Sequence, residues 1–179
     1  MRRRYELDTK AMERLGWWHH VELKGRVTVK VWDADIVPTY VEANAHVKLG
    51  IVPIETQVVD NLVVTVGHYE IADWIVGEGY VDGFQYCGIG SGTTAAAVGD
   101  TDIETAIGSR KIATSRSRTN KIATISTFFA SGDNNGTWTE SVLAEASSGG
   151  RIFSRALFDA AITKDTTKTI TVDWDITVG

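Results

Sequence analysis

The feature that most constrains this chain is its closing run, Thr169-Ile170-Thr171-Val172-Asp173-Trp174-Asp175-Ile176-Thr177-Val178, in which polar and apolar residues alternate without a break. On a β-strand, Ile170, Val172, Trp174, Ile176 and Val178 line one face, and Thr169, Thr171, Asp173, Asp175 and Thr177 the other. A helix would scatter the five apolar side chains around its circumference. β-branched residues fill most of the run, which fits a half-buried pleated surface. Trp174 at its centre is expected in the core, and Asp173 and Asp175 on a face that tolerates substitution.

Upstream, Lys121 to Phe129 reads as a strand that ends at Ser131-Gly132-Asp133-Asn134-Asn135-Gly136, where Asn-Gly supplies the positive φ of a tight turn. Thr137 to Leu143 gives the next strand, closed by Ser147-Ser148-Gly149-Gly150. Arg151 to Phe158 gives another, and Asp165-Thr166-Thr167 turns into the last. Toward the N-terminus, Val21 to Val31 alternates in the same way, with Trp17-Trp18-His19-His20 before it. Ile54 to Val59 is expected as a strand followed by a turn at Asp60-Asn61, and Trp32 to Pro53 shows no regular period. Apolar residues at 71, 72, 75 and 76 predict a helix over 68–76, stopped by Gly77. Phe84 to Ile89 reads as a strand. Thr101-Asp102-Ile103-Glu104 has the capping-box form, which predicts a short helix ending near Gly108. Lys111 to Arg118 reads as a polar strand with Arg116 and Arg118 on one face. Short strands punctuated by turns predict a mainly β chain: an antiparallel β-sandwich or barrel-like module with one or two short helices. The division expected is an N-terminal β-rich segment over 1–57, an arm or attachment part, and a sandwich module over 58–179.

Composition narrows the function classes. A net charge of -5 argues against non-specific nucleic-acid binding. The single Cys87 excludes an intramolecular disulfide framework. No apolar run reaches the roughly 20 residues of a membrane-spanning helix. Met1-Arg2-Arg3-Arg4 resembles the start of a signal peptide, but Tyr5-Glu6-Leu7-Asp8 stands where its apolar core would be.

The candidate chemical motifs are incomplete. Gly88-Ile89-Gly90-Ser91-Gly92 is followed by Thr93-Thr94, so it lacks the third glycine of a dinucleotide loop and the lysine of a phosphate loop. Asp133-Asn134-Asn135-Gly136 has its glycine at the fourth place, whereas a calcium loop needs it at the sixth. His19 and His20 would point to opposite faces of a strand, and His46 and His68 have no spaced partner. No serine sits in a nucleophile elbow. No catalytic residue, metal or cofactor is therefore expected, and the chain is read as a non-enzyme. The residues singled out for partner contact are Trp17, Trp18 and Trp138, as anchors or sugar-stacking platforms, and Arg116 and Arg118, from the dense basic patch Arg110 to Lys121.

An ordered set of segments adds a resemblance. Val58-Val59-Asp60-Asn61-Leu62-Val63-Val64 precedes the helix, and Cys87-Gly88-Ile89-Gly90-Ser91-Gly92-Thr93-Thr94 follows it. Then come Gly99 to Thr105, Phe128 to Glu140, the Gly149-Gly150 turn and Ala161-Ile162-Thr163-Lys164. In this order and spacing, residues 58–179 resemble small structural proteins of tailed bacteriophages, the tail-fibre or virion proteins. The resemblance implies a compact virion piece, such as a head decoration protein or a tail, fibre or baseplate component. It implies contacts with capsid or tail proteins, while Trp17, Trp18 and Trp138, expected at the surface, and an open-ended sheet predict contacts with copies of itself, as a homotrimer or another symmetric oligomer. A host-surface glycan is a further partner such a role allows; a membrane or a specific nucleic acid is not expected. The competing reading is a carbohydrate-binding β-sandwich that uses exposed tryptophans.

Overall fold

A computed structural model describes residues 22–78 and 82–179. The chain is mainly β: the described residues form nine antiparallel strands in one sheet curled into a half-barrel, and two short helices. The strands are β1 (Leu23–Asp33), β2 (Glu55–Val63), β3 (Tyr86–Gly90), β4 (Lys111–Ile112), β5 (Ser115–Thr119), β6 (Ile122–Phe129), β7 (Gly136–Ala144), β8 (Ile152–Lys164) and β9 (Lys168–Val178). The helices are α1 (Tyr40–Lys48) and α2 (Thr65–Val76). The sheet order is β4-β3-β7-β8-β2-β1-β9-β6-β5. Ala113 and Thr114 link the two edge strands β4 and β5, and their amides bond Gln85 O and Ser126 O.

The closing strand lies where its alternation predicts. β9 runs between β1 and β6, with Trp174 opposite Val27 on one side and Ile125 on the other. Ile170, Val172 and Trp174 are fully buried, as are Val27 and Val29. The main core gathers these with Phe129, Trp138, Ile162 and Phe153 on the concave side of the curl.

Several expectations need correction. The 57/58 division falls inside β2, and β1 from the N-terminal segment is paired on both edges within the same sheet and shares its core. Asp60-Asn61 is strand, not turn: Arg26 pairs with Asp60 and Gly25 with Asn61. A Cβ on Gly25 would lie 1.8 Å from Asn61 Oδ1, so this glycine makes room for the amide beside it. The segment 101–108 contains no helix. Glu104 does not cap its own turn; its carboxylate accepts from Thr94 N at 2.9 Å and Thr94 Oγ1 at 2.8 Å. The predicted strand 111–118 is broken into β4 and β5, and β8 runs on to Lys164.

Helix α1, which the aperiodic stretch 32–53 hides, starts at a capping box. Thr39 Oγ1 accepts from Glu42 N, while Glu42 Oε2 accepts from Thr39 N. It packs Ala43 against Trp32 and Val37 in a small separate core, on the convex face of the sheet. The polar side of β9 is therefore partly covered: Thr169 and Thr171 are buried, and Asp173 accepts from Lys30 Nζ at 2.9 Å and from Ser126 Oγ at 2.6 Å.

Candidate functional site

The residues singled out in the sequence do not converge. Trp17, Trp18, His19 and His20 lie outside the described residues. Trp138 is a correction. It is 0% exposed, its ring meets Phe129 edge-on at 5.0 Å, and its indole donates to Asn134 O at 2.7 Å. It holds the 131–136 turn against the core, so it is neither a surface anchor nor a sugar platform.

Arg116 and Arg118 do reach the surface, on the fully exposed edge strand β5. They pair opposite Ile125 and Ala123, and each caps a carbonyl: Arg116 donates to Asp82 O at 2.8 Å and Arg118 to Asn120 O at 2.8 Å. Charged side chains on a short edge blunt its unpaired backbone against indiscriminate strand addition. Arg116 also borders an apolar pocket of about 290 Å³ formed with Phe84, Ile125 and Phe153 beneath α2.

The glycines of 88–92 have a structural cause. A Cβ on Gly90 would come within 2.5 Å of Glu140 Oε1 and Thr105 O, and one on Gly92 within 2.4 Å of Glu140 Oε1. The glycine run lets the 91–105 loop close over the buried Glu140, whose oxygens accept from Gly92 N, Glu104 N and Thr105 N. His46 and His68 bond carbonyls of their own helices, at Glu42 and Val64.

The surface that stands out is one the sequence reading passed over. After α1 the chain turns at Gly50, with φ of +78°, and runs Leu49-Gly50-Ile51-Val52-Pro53-Ile54 into β2. Leu49 is 75% exposed, Val52 80% and Ile54 65%, and Val47 and Ile51 are also exposed. The segment is not a loose tail. Ile51 N bonds His46 O at 2.9 Å, and Ile54 N bonds Val31 O at 2.8 Å. An uncharged apolar run held open to water by hydrogen bonds at both ends is the mark of a contact surface. Its signal was in the sequence: Thr39-x-x-Glu42 announces the helix that leads into 49–54.

No family model, curated protein or solved structure matches the chain.

Proposed function

We propose that the chain is a non-enzymatic structural protein of a tailed-phage virion, a compact accessory piece of the head, tail, fibre or baseplate. It works by binding copies of itself, most simply as a trimer, and by contact with capsid or tail proteins. The observation that carries the reading is the exposed apolar run from Leu49 to Ile54. This run has no charge between Lys48 and Glu55, so it suits a partner surface equally free of charge, and a symmetry-related copy supplies one. The rigid single sheet behind it, with its two edge strands linked, presents that surface without a cost of ordering. The resemblance of residues 58–179 to small virion proteins supplies the setting.

Two measurements test the proposal. Mass spectrometry of purified particles should find the chain as a many-copy component; its absence from particles rejects the virion reading. Light scattering on the isolated protein should give a defined oligomer. The double variant Leu49→Asp, Val52→Asp should give a folded monomer. A wild-type chain that stays monomeric at every concentration rejects self-association through this surface.

A further inference from the structure

On the convex face of the sheet, a groove of about 170 Å³ runs beside α1 over β1, β9 and β6. Its lining is mostly polar, with Trp32, Ala43 and Val47 as the apolar part. The floor carries Lys30, Asp173 and Asp175, with the hydroxyls of Thr28, Thr124 and Ser126, and α1 contributes Asn44 to the wall. Thr124 Oγ1 donates to Asp175 Oδ1 at 2.6 Å, so the two aspartates are already held in place by neighbours on β1 and β6.

Two further lining residues make this more than a solvated patch. Trp32 and Thr171 are only 2% and 5% exposed, yet the Trp32 indole N–H and the Thr171 hydroxyl have no hydrogen-bond partner among the described residues. A buried donor left unpaired is costly, so a group whose oxygens reach these two atoms from the groove would meet that demand.

The lining selects the ligand class. Two carboxylates against one lysine disfavour an anion. No group of three acidic, histidine or cysteine side chains suited to a metal occurs among the described residues. An apolar ligand would leave the Trp32 indole N–H and the Thr171 hydroxyl without a partner. Hydroxyls, carboxylates, an ammonium and an amide together match a ligand whose every group both donates and accepts, which is a polyol. The volume suits one sugar ring. We propose that this groove binds a single saccharide unit, with Asp175 and Asn44 accepting and donating to its hydroxyls. The inference does not rest on the virion reading: its polar floor on β1, β9 and β6 is separate from the apolar run Leu49 to Ile54, and only Val47 borders both.

The test follows the Trp32 indole in a ¹⁵N–¹H spectrum, its signal identified by loss in Trp32→Phe. The probes are glucose, galactose, N-acetylglucosamine and the methyl glycoside of each. At least one should shift the Trp32 signal saturably below about 100 mM, the range of a millimolar Kd. Asp175→Asn or, should that variant not fold, Asn44→Ala should weaken binding about tenfold, the loss of roughly one hydrogen bond. Binding of the glycoside with the free sugar identifies the end of a glycan chain as the source; binding of the free sugar alone identifies a free metabolite. A Trp32 signal that no probe moves means that the groove holds water only and overturns the proposal. So does a shift that both variants leave intact.

Discussion

Arg155 Nε donates to Glu140 Oε2 at 2.7 Å in the interior of the sheet, between β8 and β7. Neither side chain is more than 3% exposed. The guanidinium spends its remaining donors on Asp100 Oδ2, Thr94 O and Glu104 Oε2, all on the irregular segment between β3 and β4. Burial works against the charge of Arg155, but Glu140 and Asp100 beside it outweigh this and hold its pKa above the ordinary value. The pair thus fastens a long loop, which has little regular hydrogen bonding of its own, to the rigid sheet.

Removing one partner should leave an uncompensated charge in the interior. Arg155→Leu is expected to cost about 3–5 kcal/mol and to open the 91–105 loop to protease before global unfolding. Denaturant titration and limited proteolysis measure the two effects. A midpoint shift worth less than about 1 kcal/mol would show that the backbone donors of Gly92, Glu104 and Thr105 are enough to hold Glu140.

The closing strand should be sensitive on both faces. Trp174→Ala removes a fully buried indole and is expected to cost about 3–5 kcal/mol. Asp173→Ala should cost about 1–3 kcal/mol, because Lys30 and Ser126 both lose their acceptor in a partly covered site. That departs from the tolerance expected of a solvent-facing aspartate. Equal midpoints for Asp173→Ala and wild type would mean that Lys30 and Ser126 find water instead.

Cys87 should be inert in the folded protein. Burial pushes its thiol up to about 11, against which nearby Ser141 works only weakly. A thiol reagent at pH 8 should react only at the rate of opening, and at once in denaturant. The sign for stability follows from the raised value. The unfolded thiol ionises near its ordinary pKa and the folded one does not, so stability falls as pH rises from about 9 to about 11. Cys87→Ala should flatten that alkaline decline. Rapid labelling of the native protein would place the thiol at the surface.

Acid should loosen the 131–136 turn. Burial raises the pKa of Asp133, but Lys111 at 2.6 Å and the amide of Ala130 at 2.8 Å bring it below the ordinary carboxylate value. A depressed folded value means that the contribution is present above the unfolded pKa and is lost as pH falls through the folded one. Unfolding temperature measured against pH should therefore drop below about pH 4, and Asp133→Asn should lessen the drop. An unchanged acid limb in that variant would assign the loss to other carboxylates.

Much of the strand pattern was legible because it is local. Alternation in Thr169–Val178 and Leu23–Val31 reports which side chains share a face, and Asn135-Gly136 and Gly149-Gly150 report where the chain must reverse. Helix α2 was visible in its apolar rhythm near 68–76, although it begins at Thr65. Helix α1 was not, since its apolar residues lie on no single face and only Ala43 is buried. What holds α1 is the Thr39–Glu42 cap and the contact of Ala43 with Trp32, a residue from another element.

By itself, the sequence determined that the chain is β-rich, where most strands lie and that Trp174 faces inward, since two-residue periodicity depends on neighbours alone. Only the tertiary structure decided which strands pair, and that order settles the rest. Asn61 is strand because Gly25 leaves space beside it and Ser154 accepts its amide. Glu104 leaves its own capping box because Thr94 and Arg155 offer its carboxylate stronger donors. Trp138 is buried because Phe129 and the 131–136 turn close over it. In each case a contact between residues distant in the chain outweighs a local preference worth about 1 kcal/mol or less.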